Sequence, residues 1–144
     1  MECPIPAITA NSEEIKEILS TVKTIAVVGL SPNPAKDSHR VAAYLQSVGY
    51  KIVPIYPKED EILGEKVYRS LAEVPFKIDM IDVFRKPAAL PAIVQAAIER
   101  GDVDVVWFQK GIVNDEAAKM ARDAGMKVVQ NRCTMVDHQL LMGA

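Results

Sequence analysis

Between residues 29 and 40 the chain reads G-L-S-P-N-P-A-K-D-S-H-R. Ser31, Asn33 and Ser38 bring short polar side chains, and Lys36 and Arg40 bring positive charge, directly after an apolar run. Hydroxyl, carboxamide and cationic donors gathered in one short stretch suit an anion, and a phosphate above all. Gly29 falls where the apolar run must end in a tight turn. The stretch is not the dinucleotide fingerprint G-x-G-x-x-G, because Ser31 stands in place of the second glycine and Pro34 in place of the third. A serine there holds a phosphate further from the backbone but supplies a hydroxyl. Pro32 and Pro34 stiffen the loop and lower the entropy cost of ordering it on a ligand. Gly29, Leu30, Ser31, Asn33, Lys36, Ser38 and Arg40 are therefore candidate residues of a preformed anion cradle. The alternative is an ordinary strand-to-helix turn with a solvated charged face.

The elements that must carry this loop can be read from periodicity. Residues 25–30 (IAVVGL) form a short β-branched run suited to a strand buried on both faces. Val41, Ala42, Leu45 and Val48 recur at helical spacing, and Gly49 is placed to follow a helix C-terminus. Strands are also expected at residues 51–55, 78–84, 103–109 and 126–130, with at most a brief edge strand at 64–68 after a polar loop at 59–63. Pro54 should leave the second strand short or locally unpaired. Helices are expected from an Asn11/Glu14 capping box, after Pro87 and after Asn114, with one turn at Ser70–Glu73 of capping-box pattern and a short helix in the tail. Strands alternating with helices predict an α/β fold: a three-layer, doubly wound, mostly parallel five-stranded sheet of Rossmann-like type. Residues 1–144 are read as one domain, with an N-terminal extension and helix over 1–23 and a core over 24–138.

In such a fold the ligand lies outside the carboxyl ends of the strands. That rule selects Tyr56, Pro57 and Lys58 after the second strand, and Arg85 and Lys86 after the third. It selects Gln109, Lys110 and Gly111 after the fourth, and Asn131, Arg132 and Cys133 after the last. An NAD site would place an acidic residue near position 58 to hold a ribose 2′-hydroxyl. Lys58 suits a ribose bearing a phosphate instead, which leaves coenzyme A and NADP as candidates. A solvated lysine beside Glu59 is the plain alternative. Arg85 suits a phosphate fork or ring stacking, or else a salt bridge to Asp82 or Asp79. Gln109 and Gly111 can hydrogen-bond the amides of a pantetheine arm, or Gln109 can simply tie down its own loop.

Composition restricts the function classes. The chain has 144 residues, 49% hydrophobic and 25% charged, with a formal net charge of −2. That is a globular profile, without the basic balance that non-specific nucleic-acid binding requires. No apolar run reaches the ~18 residues of a membrane span, and the N-terminus has no signal-peptide pattern. Cys3 and Cys133 lie far apart and fit a reducing cytoplasm better than a disulfide framework. No metal-ligand spacing involves His39 or His138.

Several stretches together resemble the small stand-alone CoA-binding proteins, whose domain is similar to the CoA-binding domain of the succinyl-CoA synthetase α subunit. They are VVGLSPNPAKDSHRVAAYLQSVGYKIVPIYP, ILGEKVYRSLAEVP, IDMIDVFRKP, VVWFQKGIVNDEAAKMARDAGMKVVQNRC and His138. The resemblance implies a Rossmann-like fold with CoA across the strand ends. By position it implies Gly29, Ser31, Asn33, Lys36 and Ser38 at the phosphates, and Tyr56, Pro57 and Lys58 near the adenosine. It implies Val83, Phe84 and Arg85 beside the nucleotide, and Gln109 with Gly111 beside the pantetheine. The family's usual Asn-Pro after the second strand is Tyr56-Pro57 here, which suits stacking on adenine rather than an asparagine hydrogen bond. Neither histidine takes the synthetase's phosphohistidine role, and the chain is too short for that enzyme's second domain.

No complete catalytic set is legible. Cys133 is the sharpest candidate for a reactive thiol: Arg132 beside it favours the thiolate, and Asp137 and His138 follow closely. A thiol there can form a mixed disulfide with CoA or carry an acyl group. The plain alternative is a small buried hydrophobe. The expectation is a cytoplasmic protein that binds coenzyme A or an acyl-CoA, with no nucleic-acid, membrane or metal partner, as a monomer or a homodimer through apolar residues of the first helix. An NADP-dependent reductase-like protein and a thiol-based redox or regulatory protein acting through Cys133 are the alternatives.

Overall fold

A computed structural model describes residues 6–143. Helix α1 (Ser12–Thr21) leads into strand β1 (Thr24–Val28), helix α2 (Asp37–Ser47) and strand β2 (Lys51–Ile55). A small antiparallel hairpin, β3 (Glu61–Ile62) and β4 (Glu65–Lys66), precedes β5 (Met80–Val83). Helix α3 (Leu90–Arg100), β6 (Val105–Phe108), α4 (Asp115–Asp123), β7 (Lys127–Val129) and α5 (Thr134–His138) complete the chain. The five long strands form one parallel sheet in the order β2-β1-β5-β6-β7. The Rossmann-like α/β fold expected from the sequence is the one observed.

The register explains why the strands read as continuous apolar runs. Val27, Asp82, Trp107 and Val129 lie side by side and face α1, α2 and α5. Ala26, Ile81, Val106 and Val128 face α3 and α4. Both faces are covered, so alternation is lost. Trp107, Phe108, Ile25, Ile52 and Ile81 are fully buried, each contributing about 1.5–3 kcal/mol of hydrophobic stabilisation. The sheet order reverses between β1 and β5, so the crevice for a ligand opens at the exits of those two strands.

Pro54 is accommodated without interrupting β2. Its carbonyl accepts from the Tyr68 N–H on the outer edge of the sheet, at 2.9 Å. A residue's N–H and C=O point to the same side of a strand, so the missing donor also faces outward, where it interrupts no bond to β1. The Asn11/Glu14 capping box forms in full, and Asn114 caps α4 through Ala117. Ahead of α1, the Ala10 N–H pairs with the Val128 carbonyl at 2.8 Å, covering the edge strand β7.

Some expectations are corrected. Ser70 makes no capping bond; Glu73 accepts from the Arg69 N–H instead, and the turn is a 3₁₀ turn. Residues 59–63 are not all loop, since Glu61–Ile62 pair with β4. Val48 is 41% exposed rather than part of the core stripe. Ile15, Ile18 and Leu19 of α1 are buried within the domain, so that helix offers no apolar surface for a dimer. Cys3 lies outside the described residues.

Candidate functional site

The site is built around the close approach of the β1 and β5 exits. Gly29 has φ +89, and a Cβ placed on it would lie 2.7 Å from the Phe84 carbonyl oxygen and 3.2 Å from Arg85 Nε. Only glycine fits both the left-handed turn and the adjacent backbone. The Gly29 N–H donates to the Ile55 carbonyl at 2.9 Å. Gly29 therefore shapes the crevice and does not itself present an amide to a ligand.

The following loop is rigid because it satisfies itself. The Ser31 N–H donates to Ser38 Oγ, the Asn33 N–H to Ser31 Oγ and the Ala35 N–H to Asn33 Oδ1. The Lys36 N–H donates to the Asn33 carbonyl, and the Ser31 carbonyl contacts His39 Nδ1 at 2.9 Å. Leu30 is fully buried and anchors the loop to the core. The amides of Ser31, Asn33, Ala35 and Lys36 are thus occupied within the loop and are not free for an anion. What remains is the start of α2. Lys36 occupies its N-cap position without any side-chain capping bond, whereas Asn11 and Asn114 cap α1 and α4. An uncapped helix N-terminus presents N–H groups and a positive dipole end. Against this, Asp37 in the first turn is negative, though it is paired with Arg40 at 2.6 Å.

Two clefts flank the crevice, and Phe84 and Arg85 divide them. One, of about 390 Å³, lies between the ends of β1 and β2 and helix α3, lined by Val28, Ile55 and Ile93 with Arg69 and Arg85. The other, of about 260 Å³, is lined by Phe84, Gln109, Lys110 and Cys133 with Arg40. Val83 is fully buried beneath them. Arg85 is exposed and makes neither of the expected salt bridges: Asp79 pairs with Lys77, and Asp82 bonds Gln109 and Thr134. Among the described residues, Lys36, Lys58, Arg85, Lys86 and Lys110 have no ion-pair partner.

Sequence reasoning missed Arg69. Its guanidinium donates to the carbonyls of Tyr56, Lys58 and Glu59 at 3.2, 3.0 and 2.7 Å. It thereby holds the β2 exit loop in shape, including the left-handed Glu59 at φ 68, and it lines the larger cleft. Nothing in the local spacing of Arg69 signals this, because its partners lie on a loop about ten residues back in the chain. Tyr56 is half-buried and packed on the α2 side, while Pro57 and Lys58 are exposed.

Gln109 and Gly111 are less available than expected. The Gly111 N–H donates to Asn131 Oδ1 at 2.7 Å. The Gln109 side-chain N–H groups donate to Asp82 and Thr134 at 2.5 and 2.8 Å. Asp82 is fully buried, and burial pushes its carboxyl up to about 7 despite the bonds from Gln109 and Thr134.

The expected environment of Cys133 is corrected as well. Arg132 forms a two-pronged pair with Asp137, at 2.6 and 2.9 Å, rather than serving the thiol. His138 meets the Tyr44 hydroxyl at 2.8 Å and packs edge-on against the rings of Tyr44 and Tyr50, where burial holds it below the usual histidine range. Among the described residues no hydrogen bond reaches the Cys133 thiol, and no group of acidic, His or Cys side chains can hold a metal ion. No helix of the described residues is long and apolar enough to cross a membrane.

The chain is similar to known proteins over most of its length. The chain is 44% identical to the protein YneT of Bacillus subtilis over 125 residues, covering 87% of this chain and 92% of that one. It is 32% identical over 127 residues to an ADP-forming acetate–CoA ligase of Methanocaldococcus jannaschii, covering 83% of this chain but 18% of the ligase. A solved protein of Pyrococcus horikoshii superposes with a TM-score of 0.90 at 43% identity, covering 99% of this chain and all of that one. The sequence model of the CoA binding domain matches residues 23–139, from the start of β1 to the end of α5, and the chain belongs to that family.

Proposed function

We propose that this protein binds coenzyme A, free or acylated, across the carboxyl ends of its parallel strands. The observation that carries the reading is the match to the CoA binding domain over residues 23–139, a span that contains every strand exit of the sheet. The charge pattern supports it: Lys36, Lys58, Arg85, Lys86 and Lys110 lie at or beside the strand exits without acidic partners, where a ligand with several phosphates would lie. In this reading the α2 N-terminus, Lys36 and the Ser31 hydroxyl take the pyrophosphate. Lys58 takes the 3′-phosphate, with Tyr56 and Pro57 beside the adenosine. Arg85 lies over the nucleotide between the two clefts, and Gln109 with Gly111 borders the pantetheine arm.

Calorimetric titration with CoA, dephospho-CoA and NADPH tests the reading. CoA should bind, and removal of the 3′-phosphate should weaken binding by about tenfold, the scale of one charge-assisted contact. Lys58→Ala should abolish that preference. At a ligand concentration 100-fold above Kd the melting transition should also gain ~2.7 kcal/mol. Heat from NADPH with none from CoA would replace this reading with a reductase-like one.

A further inference from the structure

Beneath the smaller cleft, side chains from β5, the β6 exit and the start of α5 meet in a closed network. Asp82 and Thr134 are fully buried, and Gln109 is nearly so. Gln109 Nε2 donates to Asp82 Oδ1 and Thr134 Oγ1, and Thr134 Oγ1 donates to Asp82 Oδ2 at 3.0 Å. A primary carboxamide has two N–H donors and one acceptor oxygen. Both donors of Gln109 are thus turned inward. Its Oε1 makes no hydrogen bond among the described residues, and none of their buried side-chain polar atoms lacks a partner. Oε1 is therefore not sealed in the core, and Gln109 lines the cleft with Phe84, Lys110 and Cys133.

We propose that Asp82 and Thr134 are positioning residues that lock the Gln109 carboxamide with its oxygen toward the cleft, where it accepts a hydrogen bond from a secondary-amide N–H of the ligand. The inference rests on the CoA reading, in which the pantetheine arm supplies such amides. The locked orientation also works as a filter. A ligand carbonyl at the same point would meet another oxygen and be rejected. An amide free to flip would accept either polarity.

The test compares CoA with 3′-phospho-ADP, which shares the nucleotide end and lacks the pantetheine arm. Asp82→Ala, Thr134→Val and Gln109→Leu should each weaken CoA by about five- to tenfold, the scale of one hydrogen bond, while leaving 3′-phospho-ADP affinity unchanged. The Asp82→Ala/Gln109→Leu double variant should bind CoA no more weakly than Gln109→Leu alone, because Asp82 acts through Gln109. Thr134→Ser should restore CoA affinity. If Asp82→Ala does not fold, the Thr134→Val and Thr134→Ser pair decides. Equal losses for both ligands, or additive losses in the double variant, would make the network merely structural and overturn the inference while the CoA reading stands. Wild-type protein that binds neither ligand would overturn the CoA reading itself.

Discussion

Arg100 and Arg85 carry the same guanidinium group at opposite ends of the parallel sheet, and the two ends are built on different plans. At the amino ends of the strands, Arg100 donates to the carbonyls of Leu71, Val74 and Phe76 and forms a two-pronged pair with Asp102. Asp79 accepts from the N–H groups of Lys23 and Thr24 and pairs with Lys77, which also reaches Asp104. Burial pushes Asp79 and Asp102 up, but their hydrogen bonds outweigh it and hold both carboxyls below the usual range. At the carboxyl ends, Arg85 has no hydrogen bond or ion pair among the described residues, and the neighbouring lysines have no acidic partner. At the amino end the Arg100, Asp102, Asp79 and Lys77 cluster satisfies its charges internally and ties neighbouring segments together. At the carboxyl end Arg132 is likewise paired, with Asp137, but Arg85 and the lysines beside it stay exposed, an arrangement useful to a charged ligand and of little value to the fold.

Arg100→Ala should cost about 3–5 kcal/mol, because it strands Asp102 and three carbonyls near the core. In thermal melts the transition should fall by about 10 °C, while CoA affinity of the folded protein stays unchanged. A loss under 1 kcal/mol would mean that the amino end is not the stabilising end. Gly29→Ala comes next, at about 2–4 kcal/mol, since a Cβ would meet the Phe84 carbonyl at 2.7 Å in a left-handed backbone. Because this glycine belongs to the carboxyl end, it is where the two plans overlap, and both melting temperature and CoA binding should suffer.

Asp82 lies between the two ends and predicts a pH dependence. Its folded-state carboxyl is raised from 3.8 to about 7. The folded protein therefore holds this proton more tightly than the unfolded chain does, so stability falls as pH rises through that window. Asp82→Asn keeps an acceptor for Gln109 and cannot ionise. Denaturant titrations should find the variant's advantage over the wild type growing as pH rises from about 4 to about 7, by about 4 kcal/mol in all, and levelling off above that. A difference that does not change with pH would show that Asp82 does not titrate there. The smallest stability effect belongs to Arg85→Ala, within about 0.5 kcal/mol of the wild type, yet its CoA affinity should drop about tenfold and more steeply at low salt. A large stability loss without a binding change would reverse the roles assigned to the two arginines.

Much of the scaffold was legible because it depends on local or periodic features. Residues 51–55 read as a strand and are one; Asn11 and Glu14 read as a capping box and form one. Ser70 and Glu73 show the same spacing, but tertiary bonding drew Glu73 to the Arg69 amide. The strand exits were legible too, since a parallel α/β sheet leaves one place for a ligand. What each exit residue does was not. Arg132 beside Cys133 suggested an activated thiol, but Asp137, one helical turn on, holds the guanidinium. Asp82 looked like a partner for Arg85, yet its side chain points to the face where Gln109 and Thr134 close over it.

Apolar run lengths, helical periods, glycine placement and the turn after β1 thus determined the fold class, the order of elements and the edge on which a ligand belongs. These properties depend on neighbours within a few residues and on the two-sided burial of a parallel sheet. The tertiary structure alone decided which cations stay unpaired, which amides are already occupied and which way Gln109 faces. Those outcomes depend on partners distant in sequence, as with the 27 residues between Asp82 and Gln109 and the 52 between Asp82 and Thr134. A hydrogen bond depends on where its partner ends up in space, which no local pattern records.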